Sequence, residues 1–155
     1  MTIRFTGVAT ESVRALRRGA PDAYGNRPER HISDGHDVPC RHCLRTVSEG
    51  EPYLVLAFRP FRSLQPYAET GPVFLHADAC EHGVSRGELP DILSSPEYIV
   101  RGYDADERIV YGTGGVIPTP KLVSRAEEIL ADDRVAFVHV RSAQNNCFQC
   151  RIERG

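Results

Sequence analysis

Lysine is almost missing from this chain: of 19 basic residues only Lys121 is not arginine. Codon bias explains so one-sided a choice without any appeal to anion recognition, so individual arginines have to be argued by position. Excess charge is missing too. A net charge of −2 leaves no electrostatic footprint for wrapping nucleic acid or coating an anionic membrane, and neither partner is expected. No apolar run is long enough to span a bilayer, and Met1 to Val8 lack the apolar core of a signal peptide, so the expected location is cytoplasmic. The cysteines number 5, an odd count that argues against a disulfide framework and leaves metal ligands, redox thiols or buried apolar cysteines. Common hydrolase signatures are also lacking, with no Gly-x-Ser-x-Gly elbow, no His-Glu-x-x-His and no Ser-His-Asp order. A Cys-His nucleophile stays open through Cys80 or Cys147 with His139, because such partners meet in space rather than in sequence. Tyr111 to Gly115 is glycine-rich, but Pro118 follows and no Lys-Ser/Thr ending does, so it reads as a flexible connector rather than a phosphate loop.

What remains is the composition of one globular domain: 155 residues, 41% hydrophobic and 26% charged. Alternation at Ile3, Phe5 and Gly7 predicts a strand, and Thr10 stands where a helix N-cap would, before Val13 and Leu16, with Gly19 as the stop. Ala20 to Pro39 shows no period and reads as a long loop. Tyr53–Phe58 and Pro72–His76 read as buried strands, and Tyr98–Tyr103 with Arg108–Tyr111 as a hairpin whose turn needs no special residue. Thr119 and Pro120 open a helix with Leu122, Val123, Ala126, Ile129 and Leu130 on one stripe, ending near Asp132. Val135–Arg141 and Cys147–Ile152 form a terminal hairpin around Gln144-Asn145-Asn146. Antiparallel neighbours of this kind, with two or three short helices, predict an α+β fold with a mainly antiparallel sheet in a single domain over 1–155.

The densest chemistry lies in the cysteines and one histidine. Cys40-Arg41-His42-Cys43 places two thiols at the spacing from which both reach one tetrahedral ion. His76 and Cys80, four apart, share a side if the chain turns helically after its strand, which completes a Cys₃His set of the kind that suits zinc. Cys147 and Cys150 stand as alternates, although in a regular strand they face opposite ways and a shared metal needs a bulge or turn. The same residues fit two other readings. Cysteine is among the most buried residue types and His76 can cap a strand, while Arg41 and His42 would stabilise a thiolate at Cys40 in a redox site.

A second grouping is cationic. Arg59 ends the Tyr53 strand, while Arg101 with Tyr103, and His139 with Arg141, share faces on theirs. With Tyr67 they would form a cleft for a small anionic ligand, a carboxylate or phosphate; alternatively each arginine snorkels at a sheet rim. Three functional classes follow: a protein with a zinc site, structural or catalytic; an enzyme or binder of a small anionic metabolite; and an interaction module without metal.

The segments Pro39-Cys40-Arg41-His42-Cys43-Leu44, Pro66 through His76, and Val138-His139-Val140-Arg141 to Cys147-Phe148 resemble a bacterial family, domain of unknown function family twelve hundred and three. The resemblance runs from about Pro39 to the C-terminus, which makes 39–155 a family-like core and 1–38 a preceding strand, helix and long loop. It implies that Cys40, Cys43, Tyr67, His76, Cys80, His139 and Arg141 belong to one constellation, and it implies no activity.

Overall fold

Ile3 and Phe5, both fully buried, form β1 (Ile3–Thr6), and α1 (Thr10–Arg17) follows and buries Val13. The computed structural model describes every residue from Met1 to Gly155. Thr10 does not cap the helix as its position suggests. The capping position is Ala9, with no side-chain hydrogen bond, and the Thr10 hydroxyl instead lies 3.0 Å from His42 Nε2. Gly19 ends the helix at φ +92°, in the left-handed region that favours glycine.

The expected long loop from Ala20 to Pro39 contains a strand. This strand, β2 (Glu29–Ile32), is exposed along its length and pairs antiparallel with β3 (Pro52–Phe58), which pairs in turn with β4 (Gly71–His76). A strand exposed on both faces writes no alternation into the sequence, which is why it reads there as loop. β3 is half-buried rather than buried throughout, with Leu54 and Leu56 facing the core and their neighbours only partly covered. The three strands form one sheet in the order β2-β3-β4.

A second sheet of six strands takes β1 together with β5 (Val84–Arg86), β6 (Glu97–Tyr103), β7 (Gly115–Pro118), β8 (Phe137–Ser142) and β9 (Phe148–Arg154). Its order is β5-β1-β9-β8-β6-β7 and every pairing is antiparallel. The N-terminal segment is therefore no appendage, since β1 sits inside this sheet and β2 completes the other. The expected hairpin after β6 shrinks to a single bridge between Tyr103 and Ile109. Its turn does need an unusual backbone, with Glu107 at φ +64°, and β6 pairs instead with β8 and with β7, which begins at Gly115, the last residue of the segment that reads as a connector. The terminal hairpin of β8 and β9 forms as expected, with a bulge at Val140 and Arg141.

α2 (Leu122–Leu130) follows a 3-10 turn at Thr119–Lys121 and packs Leu122, Ala126, Ile129 and Leu130 on one face of the large sheet, against Phe5, Val100, Val138, Val140 and Ile152. Thr119 is not its cap; the hydroxyl bonds the Ser95 carbonyl. The opposite sheet face carries Arg101, His139 and Arg151 side by side, because β6, β8 and β9 place them in register. The architecture is α+β with mainly antiparallel sheets, and no helix is long and apolar enough to cross a membrane.

Candidate metal centre

Pro39 bridges Thr46 and Cys40 bridges Phe74 of β4, so the Cys40–Cys43 turn hangs on the edge of the small sheet. The turn closes with Leu44 N donating to Cys40 O at 2.9 Å, and Leu44 takes φ +61° to leave it. Gly83 and Gly7 stack on the turn: a Cβ on Gly83 would meet Cys43 O at 2.5 Å and one on Gly7 would meet His42 O at 2.1 Å. No larger residue fits either position without moving the knuckle backbone.

His76 ends β4, and the chain then bends through Ala77 and Asp78 without the expected helical turn. It nevertheless delivers Cys80. The donor atoms of Cys40, Cys43, His76 and Cys80 all lie within 4.8 Å of one another. A zinc-sized ion with bonds of about 2.3 Å to sulfur and about 2.0 Å to nitrogen sets tetrahedral edges of about 3.8 Å between sulfurs and about 3.5 Å from sulfur to nitrogen. Cys40 Sγ and Cys80 Sγ are 4.0 Å apart, and Cys43 Sγ lies 3.4 Å from His76 Nδ1, so donor set and spacing fit such an ion.

The surroundings fit it as well. His76 Nδ1 faces the cluster while its Nε2 lies 3.5 Å from Glu51 Oε2, the second-sphere carboxylate that metal-ligating histidines commonly have. His76 N donates to Cys40 Sγ at 3.2 Å, and Arg17, at the end of α1, donates to Cys80 Sγ at 3.1 Å and to His76 O at 3.0 Å. His42, fully buried, holds Nδ1 at 3.1 Å from Cys80 Sγ. Three thiolates and a divalent cation sum to one negative charge, which the Arg17 guanidinium offsets. The hydrogen bond with Cys43 pulls the Cys40 thiol below its ordinary pKa and raises Cys43, and burial raises Cys80. A bound cation would deprotonate all three.

Arg41 does not serve these sulfurs. Buried at 3% exposure, it donates Nε to Phe148 O at 2.8 Å and NH1 to Pro39 O at 2.7 Å, tying the knuckle to β9. Burial lowers its pKa to about 10, so it stays charged. The alternates Cys147 and Cys150 lie outside the cluster. The bulge that a shared metal would require is present, yet Cys150 faces the α2 side of the sheet at 0% exposure, where burial raises its thiol, and Cys147 Sγ points to Asn145 O at 3.7 Å.

Of the cationic set, the structure brings Arg101, Tyr103, His139 and Arg141 together on the sheet face opposite α2, and an internal carboxylate faces the arginines. Glu69 pairs with Arg101 and, at 2.9 Å, with Arg141, while Asn146 Oδ1 accepts from Arg101 at 3.0 Å and from Arg141 at 2.8 Å. Tyr67 is not among them; its hydroxyl meets that of Tyr111 at 3.0 Å, beneath Arg108. Arg59 borders a different cavity, with His139 on its other side. Of the residues that support the cysteine cluster, His42 lies within the Cys40–Cys43 spacing itself, whereas Thr10, Arg17 and Glu51 carry no spacing signal as site residues, because two of them come from α1 and one from just before β3.

Neither the curated proteins nor the solved structures include a match to this sequence. Residues 37–154 match the family described as Protein of unknown function (DUF1203), a span that takes in all four clustered donors, and the chain belongs to that family.

Proposed function

We propose that Cys40, Cys43, His76 and Cys80 hold one zinc ion in a closed, structural site, and that the protein is a zinc-stabilised α+β protein of a reducing, cytoplasmic compartment. The convergence of four soft or borderline donors within 4.8 Å, from two knuckle positions, the last residue of β4 and the loop after it, carries this reading. Mixed sulfur and nitrogen donors in tetrahedral number favour zinc over iron, and four protein donors leave no position for an activated water. The ion would join segments that share few backbone bonds: the knuckle, the end of β4 and the Ala77–Gly83 connection, with α1 docked through Arg17. Structural zinc contributes directly to folding free energy, because the unfolded chain has no preformed site.

Elemental analysis of protein purified without a histidine tag tests the reading, paired with thiol titration under denaturing conditions before and after chelation. About one zinc per chain, removed only as the fold loosens, is the expected outcome. A metal-free, stably folded protein overturns it.

A further inference from the structure

The sheet face opposite α2 holds a second cavity, about 640 Å³, between β1, β8 and β9 on one side and the Phe58–Arg62 segment and the start of α1 on the other. None of the four metal donors lines it. This volume is in the range of pockets that enclose small ligands.

Its charge is unbalanced. Arg4, Arg59, Arg62 and Arg151 line it against Glu107 and Glu153. Glu107 is committed to Arg62, accepting from its backbone N at 2.9 Å and its Nε at 3.2 Å. Glu153 serves two arginines at once, Arg4 at 2.8 Å and Arg151 at 2.6 Å. Arg59 has no acidic partner, and its Nε reaches only Phe61 O at 3.2 Å. Glu69 does for Arg101 and Arg141, and Glu153 for Arg4 and Arg151, what no side chain does for Arg59. Ala9 and Ser12 also border the space, so the uncapped start of α1 adds its unpaired N–H groups to the same side.

Two enclosed polar atoms of lining residues have no hydrogen-bond partner: Arg4 Nε and His139 Nδ1, the latter in a side chain only 1% exposed. Such orphans are rare because each costs the desolvation of a polar group, and they mark places where a partner belongs. The remaining wall is aromatic. Phe61 and Phe148 flank the His139 ring at centroid distances of 5.2 and 4.9 Å, and Phe58 lies 5.7 Å from Phe148.

We propose that this cleft binds a small organic anion with a planar apolar body, its carboxylate or phosphate held by Arg59 with the Arg4–Arg151 pair and its ring against Phe58, Phe61 and Phe148, beside His139. Burial and the neighbouring Arg151, Arg141 and Arg101 keep His139 neutral, so its ring offers the ligand one N–H donor and one acceptor nitrogen. The arginines supply the attraction and the aromatic wall the selection for a flat body.

Calorimetric titration of the protein as purified, with inorganic phosphate, phenylpyruvate and adenosine monophosphate as probes, decides the matter. Saturable binding of either aromatic anion, at least about tenfold tighter than phosphate, is expected, and whichever of the two wins identifies the head group. Arg59→Ala and His139→Phe should each weaken it by about tenfold while the remote Arg134→Ala leaves it unchanged. Because Arg59 has no acidic partner to strand, its removal leaves the fold intact, as circular dichroism would verify. No binding of any probe, phosphate binding as tightly as the aromatic anions, or an undiminished affinity in Arg59→Ala would each overturn the proposal.

Discussion

Arg17 NH2 donates to Cys80 Sγ across 3.1 Å, and its Nε donates at the same time to the carbonyl of His76, so one guanidinium at the end of α1 clasps two of the four clustered donors. This makes the helix part of the site. An N–H donor on a thiolate lowers its charge density and fixes its direction, and second-sphere partners of this kind typically govern metal affinity by one to two orders of magnitude. The proposed ion and the docking of α1 on the small sheet are therefore linked.

Replacing Arg17 with Leu should keep about one zinc per chain yet lower its affinity by roughly 10- to 100-fold, read by competition with a chromophoric chelator. Glu51→Gln should act in the same direction and more weakly, because Glu51 is exposed and its contact with His76 Nε2 is long at 3.5 Å. Unchanged zinc affinity in Arg17→Leu would separate the helix from the metal.

The five cysteines should divide cleanly by metal content. Cys40→Ser and Cys80→Ser should abolish stoichiometric zinc and destabilise the fold by several kcal/mol, on the order of what structural metals contribute. Cys147→Ser should change neither metal content nor stability, since its side chain lies in the β8–β9 turn. Cys150→Ser should retain zinc but cost about 1–3 kcal/mol, because it buries a hydroxyl in the core beside Val140. Metal analysis and urea unfolding of the four variants distinguish these outcomes, and zinc loss in Cys147→Ser would reassign the donor set.

The clustering of Cys40, Cys43, His76 and Cys80 was legible in the sequence because a group able to hold a metal needs particular side chains at particular intervals, and these four have them. Its supports were not, since Arg17 and Thr10 reach the site only through the packing of α1, which no local spacing encodes. The same limit applies to the fold. Strands with one buried face announced themselves, whereas β2, exposed on both faces, and β7, preceded by glycines, are strands only because a neighbour pairs with them. Arginines at strand ends were readable one by one, but the Glu69 carboxylate that two of them grasp comes from a loop with no period.

That carboxylate predicts a stability effect distant from the metal. Arg141 has only 4% of its side chain exposed and Arg101 17%, so removing Glu69 leaves two poorly hydrated guanidiniums facing each other. Glu69→Ala should destabilise the protein by roughly 3 kcal/mol, with Glu69 itself a third exposed and the effect accordingly at the lower end for a buried pair. Asn146, accepting from both arginines, absorbs part of the loss, so Glu69→Ala with Asn146→Ala should cost more than the sum of the two. Urea titrations of the single and double variants give the coupling, and strict additivity would mean the two acceptors act independently.

His139 gives the protein a defined acid sensitivity. Burial, with Arg151, Arg141 and Arg101 as further causes, holds its pKa well below the ordinary histidine value in the folded state, while the unfolded chain titrates near 6.5. Above about pH 6.5 both states are neutral at this position and the full stability is present. As pH falls below that value the unfolded chain takes up a proton that the folded one refuses, so stability declines with falling pH until the folded value is reached. Release of the proposed zinc by protonation of its thiolates would add a second acid-dependent loss, and His139→Phe separates the two, since it removes the histidine without touching a clustered donor. Urea unfolding between about pH 7 and pH 5 should show a shallower decline in His139→Phe than in the parent protein, at equal zinc content. Parallel declines in the two proteins would mean that the ring is protonated in the fold, with a partner that the enclosed Nδ1 does not have here.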